Sequence, residues 1–206
     1  MIRKEFEFHK IQYLVYFPDN FSENKQYPVF FHLHGAGSRG RDFVEFEGSK
    51  IIDMLDKNYG PLSKAICVIP QCYADTWFDI FNDVLDLLKY VHEWKYVDKK
   101  RFVGSGISMG GYGIYQAMFS LPDLFTKAFV CCGGGMYWNI GRLKDIKFRI
   151  FHGQQDTTVF PEESQRMYNR LIEVGAEAKL TIYPECDHNC WEKAYGDSDN
   201  LKWIVE

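Results

Sequence analysis

The order of strand and helix signals along the chain most constrains its fold. Two short strands come first, at 3–8 and 11–17, with a tight turn near His9 and Lys10 between them. Apolar runs of strand length then recur, separated by segments with helical spacing of their apolar residues. The predicted later strands are 27–34, 65–70, 101–107, 126–131, 147–152 and 179–183, and the predicted helices are 44–58, 79–94, 109–120, 161–174 and 191–204.

Repeated strand–helix units predict an α/β protein. We expect an eight-stranded, mostly parallel sheet with helices on both faces, because crossover connections place helices on the faces of a parallel sheet. No repeat or linker divides the sequence, so residues 1–206 are predicted to form one domain. In such a fold, chemistry occurs in the loops that follow the carboxyl ends of the strands.

Composition narrows the class of partner. The net charge is −4 and no basic run is present, which argues against a nucleic-acid binder that depends on phosphate contacts. No stretch approaches the roughly 18 apolar residues of a membrane span. Residues 1–7 mix charged and apolar residues, unlike a secretory leader, and the six cysteines are too few for a disulfide scaffold. We therefore expect a reducing, cytoplasmic location and no nucleic-acid or membrane partner.

A candidate nucleophile follows the predicted strand 101–107. Residues 106–110 read G-x-S-x-G, centred on Ser108, between a buried strand and a helix. In that context the serine lies on a sharp turn, and glycines on either side avoid steric collision. The start of the following helix carries a partial positive charge that favours an oxyanion.

A serine nucleophile needs a base, which in this architecture follows it in the chain. Only His152 and His188 come after Ser108. His188 lies just after the last predicted strand and is predicted to be the base. His152, which ends a strand directly before Gly153, is the less favoured candidate.

The base in turn needs an acidic residue that fixes its tautomer. Asp156 lies in the loop after the strand 147–152, at the same edge of the sheet as the nucleophile. Asp145 precedes that strand, at the opposite edge. Asp187 adjoins His188, and neighbouring side chains usually diverge. Asp156 is therefore the predicted acid.

A glycine-rich loop leaves the strand 27–34. Residues 35–40 read Gly-Ala-Gly-Ser-Arg-Gly, and backbone N–H groups of such a loop can approach a substrate closely. We expect the N–H groups of Ala36 and Met109 to form an oxyanion hole. A phosphate-binding loop is disfavoured, because neither G-x-x-x-x-G-K-[ST] nor a helix-opening G-x-G-x-x-G is present.

A metal site is not expected. Cys186 and Cys190 flank His188, but no second ligand cluster has zinc-type spacing. The chemistry of a serine nucleophile requires neither a metal nor an organic cofactor.

These motifs together resemble the α/β-hydrolase superfamily over nearly the whole chain. The shared features are the His-Gly-Ala-Gly loop at 34–37, Gly-Ile-Ser-Met-Gly-Gly at 106–111, His-Gly-Gln-Gln-Asp at 152–156 and Asp-His at 187–188. The sequence is most similar to compact esterases related to feruloyl and acetylxylan esterases, which are often described as predicted peptidases of the prolyl oligopeptidase type. About 15 residues separate the strands that end at 131 and begin at 147, which leaves no room for a large lid.

The resemblance implies an α/β-hydrolase fold with Ser108, Asp156 and His188 as a catalytic triad and Ala36 and Met109 as oxyanion donors. It also implies that His152, beside Gly153, packs rather than reacts. The predicted activity is a serine carboxylesterase acting on small-molecule short-acyl or aromatic-acid esters. A small peptidase or amidase and a catalytically silent binding protein are the alternatives. Four loop aromatics are candidate walls of the substrate cleft: Trp77, Tyr137, Trp138 and Trp191.

Overall fold

The computed structural model describes residues 1–46, 49–58 and 60–206. Its strands are β1 (Ile2–Phe8), β2 (Ile11–Phe17), β3 (Tyr27–Leu33), β4 (Ile66–Pro70), β5 (Val97–Ile107), β6 (Lys127–Cys131), β7 (Lys147–Gly153) and β8 (Ala178–Tyr183). Its α-helices are α1 (Lys50–Asp56), α2 (Phe81–His92), α3 (Met109–Ser120), α4 (Pro161–Glu173), α5 (Trp191–Gly196) and α6 (Ser198–Val205). Short 3₁₀ segments lie at Ala36–Ser38, Val44–Phe46, Pro61–Lys64, Pro122–Leu124 and Tyr137–Leu143.

The eight strands form one sheet in the order β1-β2-β4-β3-β5-β6-β7-β8. β2 pairs antiparallel with both β1 and β4, and all the later pairs, from β4–β3 to β7–β8, are parallel. The predicted eight-stranded, mostly parallel sheet is confirmed. The carboxyl ends of β3, β5, β7 and β8 therefore open at the same edge, where the sequence places the glycine loop, the nucleophile, the acid and the base.

Helices cover both faces of the sheet, as predicted. One apolar core lies between the sheet and helices α2, α3 and α4. The other lies between the opposite face and helices α1, α5 and α6. β3 serves both cores, because its seven residues are all buried and alternate between the two faces.

The largest differences between predicted and observed elements occur in three places, and the other bounds agree within two residues. β5 begins at Val97 rather than at 101. The prediction missed its first residues because they include exposed lysines, which interrupt the apolar run. The predicted helix 191–204 is two helices, since Asp197 is extended and its side chain caps α6 by accepting from the N–H groups of Asp199 and Asn200. The predicted helix 44–58 is a 3₁₀ turn followed by α1, and residues 47 and 48 lie outside the described ones.

Within the described part of the chain, no helix has both the length and the apolar character that crossing a membrane requires.

Candidate active site

Ser108 occupies the sharp turn between β5 and α3. Its backbone has φ 52° and ψ −119°, a conformation that costs free energy in a residue with a side chain. The surrounding fold holds it there, since the Ser108 N–H donates to the carbonyl oxygen of Cys131 at 3.0 Å. The turn places the hydroxyl beyond the end of the sheet, half-exposed, as the sequence predicts.

Glycines flank the turn because no side chain fits there. A Cβ on Gly106 would lie 2.2 Å from the carbonyl oxygen of Gly110. A Cβ on Gly110 would lie 1.9 Å from the carbonyl oxygen of Leu33. The first turn of α3 is thereby packed against the end of β3, which brings the nucleophile beside the glycine loop that follows β3.

His188 lies in the loop after β8 and contacts both Ser108 and Asp156. Its Nε2 is 2.9 Å from Ser108 Oγ, and its Nδ1 is 2.7 Å from Asp156 Oδ2. Gly153 permits this approach, since a Cβ there would lie 2.0 Å from the carbonyl oxygen of Asp187. The structure thus brings together the three residues that were predicted as nucleophile, base and acid.

Asp156 is buried and fully hydrogen-bonded. Its Oδ1 accepts from the backbone N–H groups of Thr158 and Val159, both at 2.9 Å, while Oδ2 faces His188. Burial alone would raise the pKa of this carboxyl. The hydrogen bonds from His188 and from the two backbone N–H groups more than offset it and hold the pKa below its usual value.

The Asp156 carboxylate fixes the tautomer of His188. A carboxylate only accepts hydrogen bonds, so Nδ1 carries the proton and Nε2 presents its lone pair to the hydroxyl of Ser108. In this arrangement the imidazole can remove the serine proton, and the carboxylate stabilises the resulting imidazolium.

His152, predicted only to pack, also contacts the acid. It is fully buried, its Nδ1 is 2.7 Å from Ser164 Oγ, and its Nε2 donates to the carbonyl oxygen of Val159 at 2.8 Å. The same Nε2 lies 3.2 Å from Asp156 Oδ2. His152 therefore positions both the carboxylate and the turn that binds it. Its spacing of four residues from Asp156, across a loop rather than a helix, gave no sequence signal for this contact.

The glycine loop after β3 lies directly against the nucleophile. A Cβ on Gly35 would be 3.6 Å from Ser108 Cβ, an ordinary contact distance. The N–H groups of Ala36 and Met109 each begin a helical turn, and neither has a hydrogen-bond partner among the described residues. Both N–H groups are thus free to donate, one in the glycine loop and one at the first residue after Ser108.

His34, which sequence reasoning did not assign, holds that loop. Its Nε2 accepts from the N–H of Cys72 at 2.9 Å, so its Nδ1 carries the proton and donates to the carbonyl oxygen of Gly35 at 2.6 Å. Burial lowers the pKa of His34 to about 4, which keeps this ring neutral. The indole N–H of Trp77 donates to the carbonyl oxygen of His34 at 3.0 Å.

A cavity of about 550 Å³ opens beside Ser108 on the face of the sheet that α1 and α5 cover. Its walls are largely aliphatic and aromatic, and charged side chains lie near its mouth, where Lys50 and Glu192 are 3.5 Å apart. The apolar lining residues are Phe46, Ile51, Ile52, Ile69, Ile107 and Trp191.

Of the four aromatic residues predicted to wall the cleft, Trp191 alone lines this cavity. The prediction for Trp77 is wrong, because its side chain is completely buried in the core on the opposite face. Tyr137 and Trp138 are exposed on a 3₁₀ turn and do not line this cavity, so their contact with substrate stays a prediction. The loop after β6 turns toward α4 rather than toward the cavity, since its glycines pack on Tyr112, Tyr115 and Glu163.

Among the residues that the structure describes, one group of side chains has ligand atoms close enough for a metal ion: Cys132, Asp156 and His188, whose atoms lie within 4.8 Å of one another. Two of these side chains already bind each other, and His188 also contacts Ser108. Burial raises the pKa of the Cys132 thiol, which disfavours the thiolate that a metal would bind. The donors therefore fit a hydrogen-bonded serine site better than a metal centre.

Comparisons with known families and structures agree with the fold. The model of the "Prolyl oligopeptidase family" matches residues 72–148, which include the nucleophile turn. A crystal structure of a thermostable esterase superposes with a TM-score of 0.82 at 26% identity, covering 98% of this chain and 62% of that one. The resemblance to the α/β-hydrolases, and the fold that it implies, are confirmed.

Curated relatives carry both esterase and peptidase names. A probable dipeptidyl-peptidase 5 of Aspergillus terreus is 23% identical over 87% of this chain and 31% of its own length. Inactive dipeptidyl peptidase 10 of Rattus norvegicus is 22% identical over 86% of this chain and 27% of its own length. Feruloyl esterase B of Thermothelomyces thermophilus is 22% identical over 93% of this chain and 80% of its own length. This chain thus spans less than a third of the first two relatives, and the comparisons support the hydrolase class without distinguishing ester from amide substrates.

Proposed function

We propose that this protein is a serine carboxylesterase that acts through an acyl-enzyme. The observation that carries the proposal is the continuous chain of contacts from Ser108 Oγ through His188 to Asp156, at 2.9 and 2.7 Å. The N–H groups of Ala36, in the loop after β3, and of Met109, at the start of α3, have no hydrogen-bond partner among the described residues.

The first half of the reaction transfers the acyl group to Ser108. His188 Nε2 takes the hydroxyl proton while Oγ bonds to the ester carbon, and the carbonyl oxygen becomes an oxyanion between the Ala36 and Met109 N–H groups. Each such donor typically stabilises a transition state by roughly 3 kcal/mol. The bond to the alcohol oxygen then breaks, and that oxygen takes the proton from His188.

The second half releases the acid. A water molecule loses a proton to His188 Nε2 as its oxygen bonds to the acyl carbon, and the bond to Ser108 Oγ breaks as His188 returns that proton. Asp156 stays ionised throughout and stabilises the imidazolium twice in each cycle. No metal or organic cofactor takes part in these steps.

The substrates we propose are short-acyl and aromatic-acid esters. The cavity beside Ser108 has a volume typical of small-molecule sites and predominantly apolar walls, which support an uncharged organic ester. The names of the esterase relatives are consistent with this class.

A peptidase or amidase with the same residues is the second candidate, favoured by the match to the prolyl oligopeptidase model. Its test is a matched pair, an acyl p-nitrophenyl ester and the corresponding p-nitroanilide. We expect the ester to be hydrolysed with much the higher kcat/KM, and a higher value for the anilide would favour the peptidase. The inactive relative makes a silent binding protein the third candidate, but that role would not need the contacts of His188 with both Ser108 and Asp156.

The primary test is hydrolysis of p-nitrophenyl acetate and butyrate by the wild type, Ser108→Ala and His188→Ala. We expect wild-type activity and a loss of at least about 10³-fold in kcat for both variants, with unchanged thermal unfolding. An inactive wild type, or a Ser108→Ala variant as active as the wild type, would contradict the proposal.

A further inference from the structure

One buried polar group faces the cavity without a partner. His32, near the end of β3, lines the cavity with only 2% of its surface exposed. Its Nδ1 is 3.1 Å from Ser105 Oγ, whereas its Nε2 has no partner among the described residues. The only fully enclosed side-chain polar atoms without a partner in the described chain are Gln12 Oε1 and Tyr115 OH. His32 Nε2 is therefore reached from the cavity.

The neighbours of His32 determine which of its nitrogens carries the proton. Ser105 Oγ is 2.6 Å from the hydroxyl of Tyr195, and that phenol has no other partner in the described chain. Tyr195 must donate to Ser105, because otherwise its own buried proton would have no acceptor. Ser105 then donates to His32 Nδ1, and the remaining ring proton lies on Nε2, facing the cavity.

The His32 ring is also uncharged. Burial, with a smaller contribution from His34, lowers the pKa of His32 to about 3. Aromatic neighbours hold the ring in place. Its centroid lies 5.7 Å from that of Phe30, on which it stacks, and 5.9 Å from that of Tyr195, which it meets edge-on. The cavity thus contains a fixed, neutral N–H donor in a predominantly apolar wall.

Such a donor selects for one kind of group. An uncharged oxygen that accepts the hydrogen bond repays the desolvation of both partners, whereas a purely hydrocarbon group leaves the N–H unpaired. A carboxylate at this position would lose its hydration, and the neutral His32 ring would supply no charge to balance it. We infer that His32 Nε2–H binds an ether or carbonyl oxygen on the otherwise apolar group that fills the cavity. This inference rests on the proposed esterase function.

The test compares matched esters that differ only in this oxygen. One series is p-nitrophenyl 3-phenylpropanoates with a methoxy or an ethyl group at each ring position, and the other is benzyl acetates with the same substituents. The first series places the oxygen on the acyl side and the second places it on the alcohol side. At one ring position of one series, we expect the kcat/KM of the methoxy ester to be about 3- to 10-fold higher than that of the ethyl ester.

Two variants of similar volume assign that preference to His32. In His32→Leu the ratio should fall to about one, because the donor is absent. In His32→Gln, whose amide can donate to the cavity and accept from Ser105, the ratio should stay above that of His32→Leu. Thermal unfolding of both variants checks that the fold is kept. A methoxy preference that is unchanged in His32→Leu would overturn the inference.

Two wild-type measurements keep the test independent of catalysis. The Kd values of the same substituent pairs, as ketones in which CH₂ replaces the ester oxygen, should show the same 3- to 10-fold preference by calorimetry. ¹⁵N NMR of the histidine rings should assign the proton of His32 to Nε2. Equal Kd values at every position, or a proton on Nδ1, would contradict the inference, whereas the absence of ester hydrolysis alone would contradict only the proposed function.

Discussion

Two of the buried histidines, His152 and His32, differ in how completely their ring nitrogens are hydrogen-bonded. His152, behind Asp156, has Nδ1 beside Ser164 and Nε2 between the Val159 carbonyl and the Asp156 carboxylate. His32, on the far side of Ser108, has Nδ1 beside Ser105 and an Nε2 without a partner among the described residues. Both ring nitrogens of His152 thus have polar partners, whereas Nε2 of His32, at the cavity wall, has none among the described residues.

This difference separates two roles in the site, which are to hold the reacting groups in place and to select the ligand. A saturated polar network holds reacting groups in one geometry, so damage there is expected to lower kcat with little effect on KM. A free donor in an apolar wall contributes only when a ligand supplies the acceptor, so damage there is expected to change selectivity. The predictions below test that division, and we give the largest expected effect first.

Asp156→Asn should be the most damaging of these changes. The amide can donate to His188 Nδ1 and so stabilise the wrong tautomer, and kcat should fall by about 10³- to 10⁴-fold. Asp187→Asn and Asp145→Asn are matched controls, because both carboxylates are exposed. Steady-state hydrolysis of p-nitrophenyl acetate measures the effect, and an Asp187→Asn variant as impaired as Asp156→Asn would assign the acid to Asp187 instead.

Acidic pH should lower the free energy of unfolding, because the buried His32 ring beside the cavity resists protonation in the folded state. Burial lowers the pKa of His32 from 6.5 to about 3, so below pH 6.5 the unfolded chain binds a proton that the folded chain does not. The stability that this neutral ring contributes is therefore complete above pH 6.5 and is lost as the pH falls toward 3. The limiting slope is about 1.4 kcal/mol per pH unit.

Urea unfolding between pH 7 and pH 4 measures this slope for the wild type and for His32→Gln. The variant should lose less stability over that range, because one titrating group has been removed. Identical slopes would show that His32 does not resist protonation in the folded state.

Gly153→Ala should disrupt the base through the backbone. A Cβ at this position would meet the carbonyl oxygens of Asp187 and Cys186 at 2.0 and 2.5 Å, so the loop that carries His188 must shift. We expect a loss of about 1–3 kcal/mol in the free energy of unfolding and a larger loss in kcat than in KM. Gly141→Ala is the control, since nothing lies within 4 Å of a Cβ there. Equal behaviour of the two variants would mean that the close approach at Gly153 is not required.

His152→Leu should have the smallest effect on catalysis. Removal of the Nε2–H that faces Asp156 leaves the His188 contact in place, and we expect kcat to fall by about tenfold with KM nearly unchanged. His152→Gln, which can supply an N–H, should recover part of the loss. The pH profile of kcat/KM distinguishes positioning from packing, because the carboxyl should titrate at a higher pH in His152→Leu. A variant with wild-type kcat and pH profile would show that His152 only packs.

The sheet and the triad residues were predictable because their signals are local or follow chain order. Gly106 and Gly110 mark the nucleophile turn, and His188 and Asp156 lie in the loops that the strand order brings to the same edge of the sheet. The close packing of the first turn of α3 on β3 explains why those glycines are needed.

The cavity wall was not predictable in the same way. Trp77 lies in the loop after β4 and Trp191 is the first residue of α5, yet Trp77 is buried on the opposite face and Trp191 lines the cavity. Which face a loop aromatic joins depends on the path of the chain between elements, and no periodicity records it. The contacts of His32 and His152 depend on partners 73 and 12 residues away, in other elements, so neither role was visible in the sequence.

The most direct measurement is covalent labelling with a fluorophosphonate, followed by intact-mass analysis and peptide mapping. We expect one adduct per chain, on Ser108, no adduct in Ser108→Ala, and labelling slowed by at least about 10³-fold in His188→Ala. Labelling of a different residue, or none under conditions that fully label a reference serine hydrolase, would contradict the proposal that Ser108 is a nucleophile activated by His188.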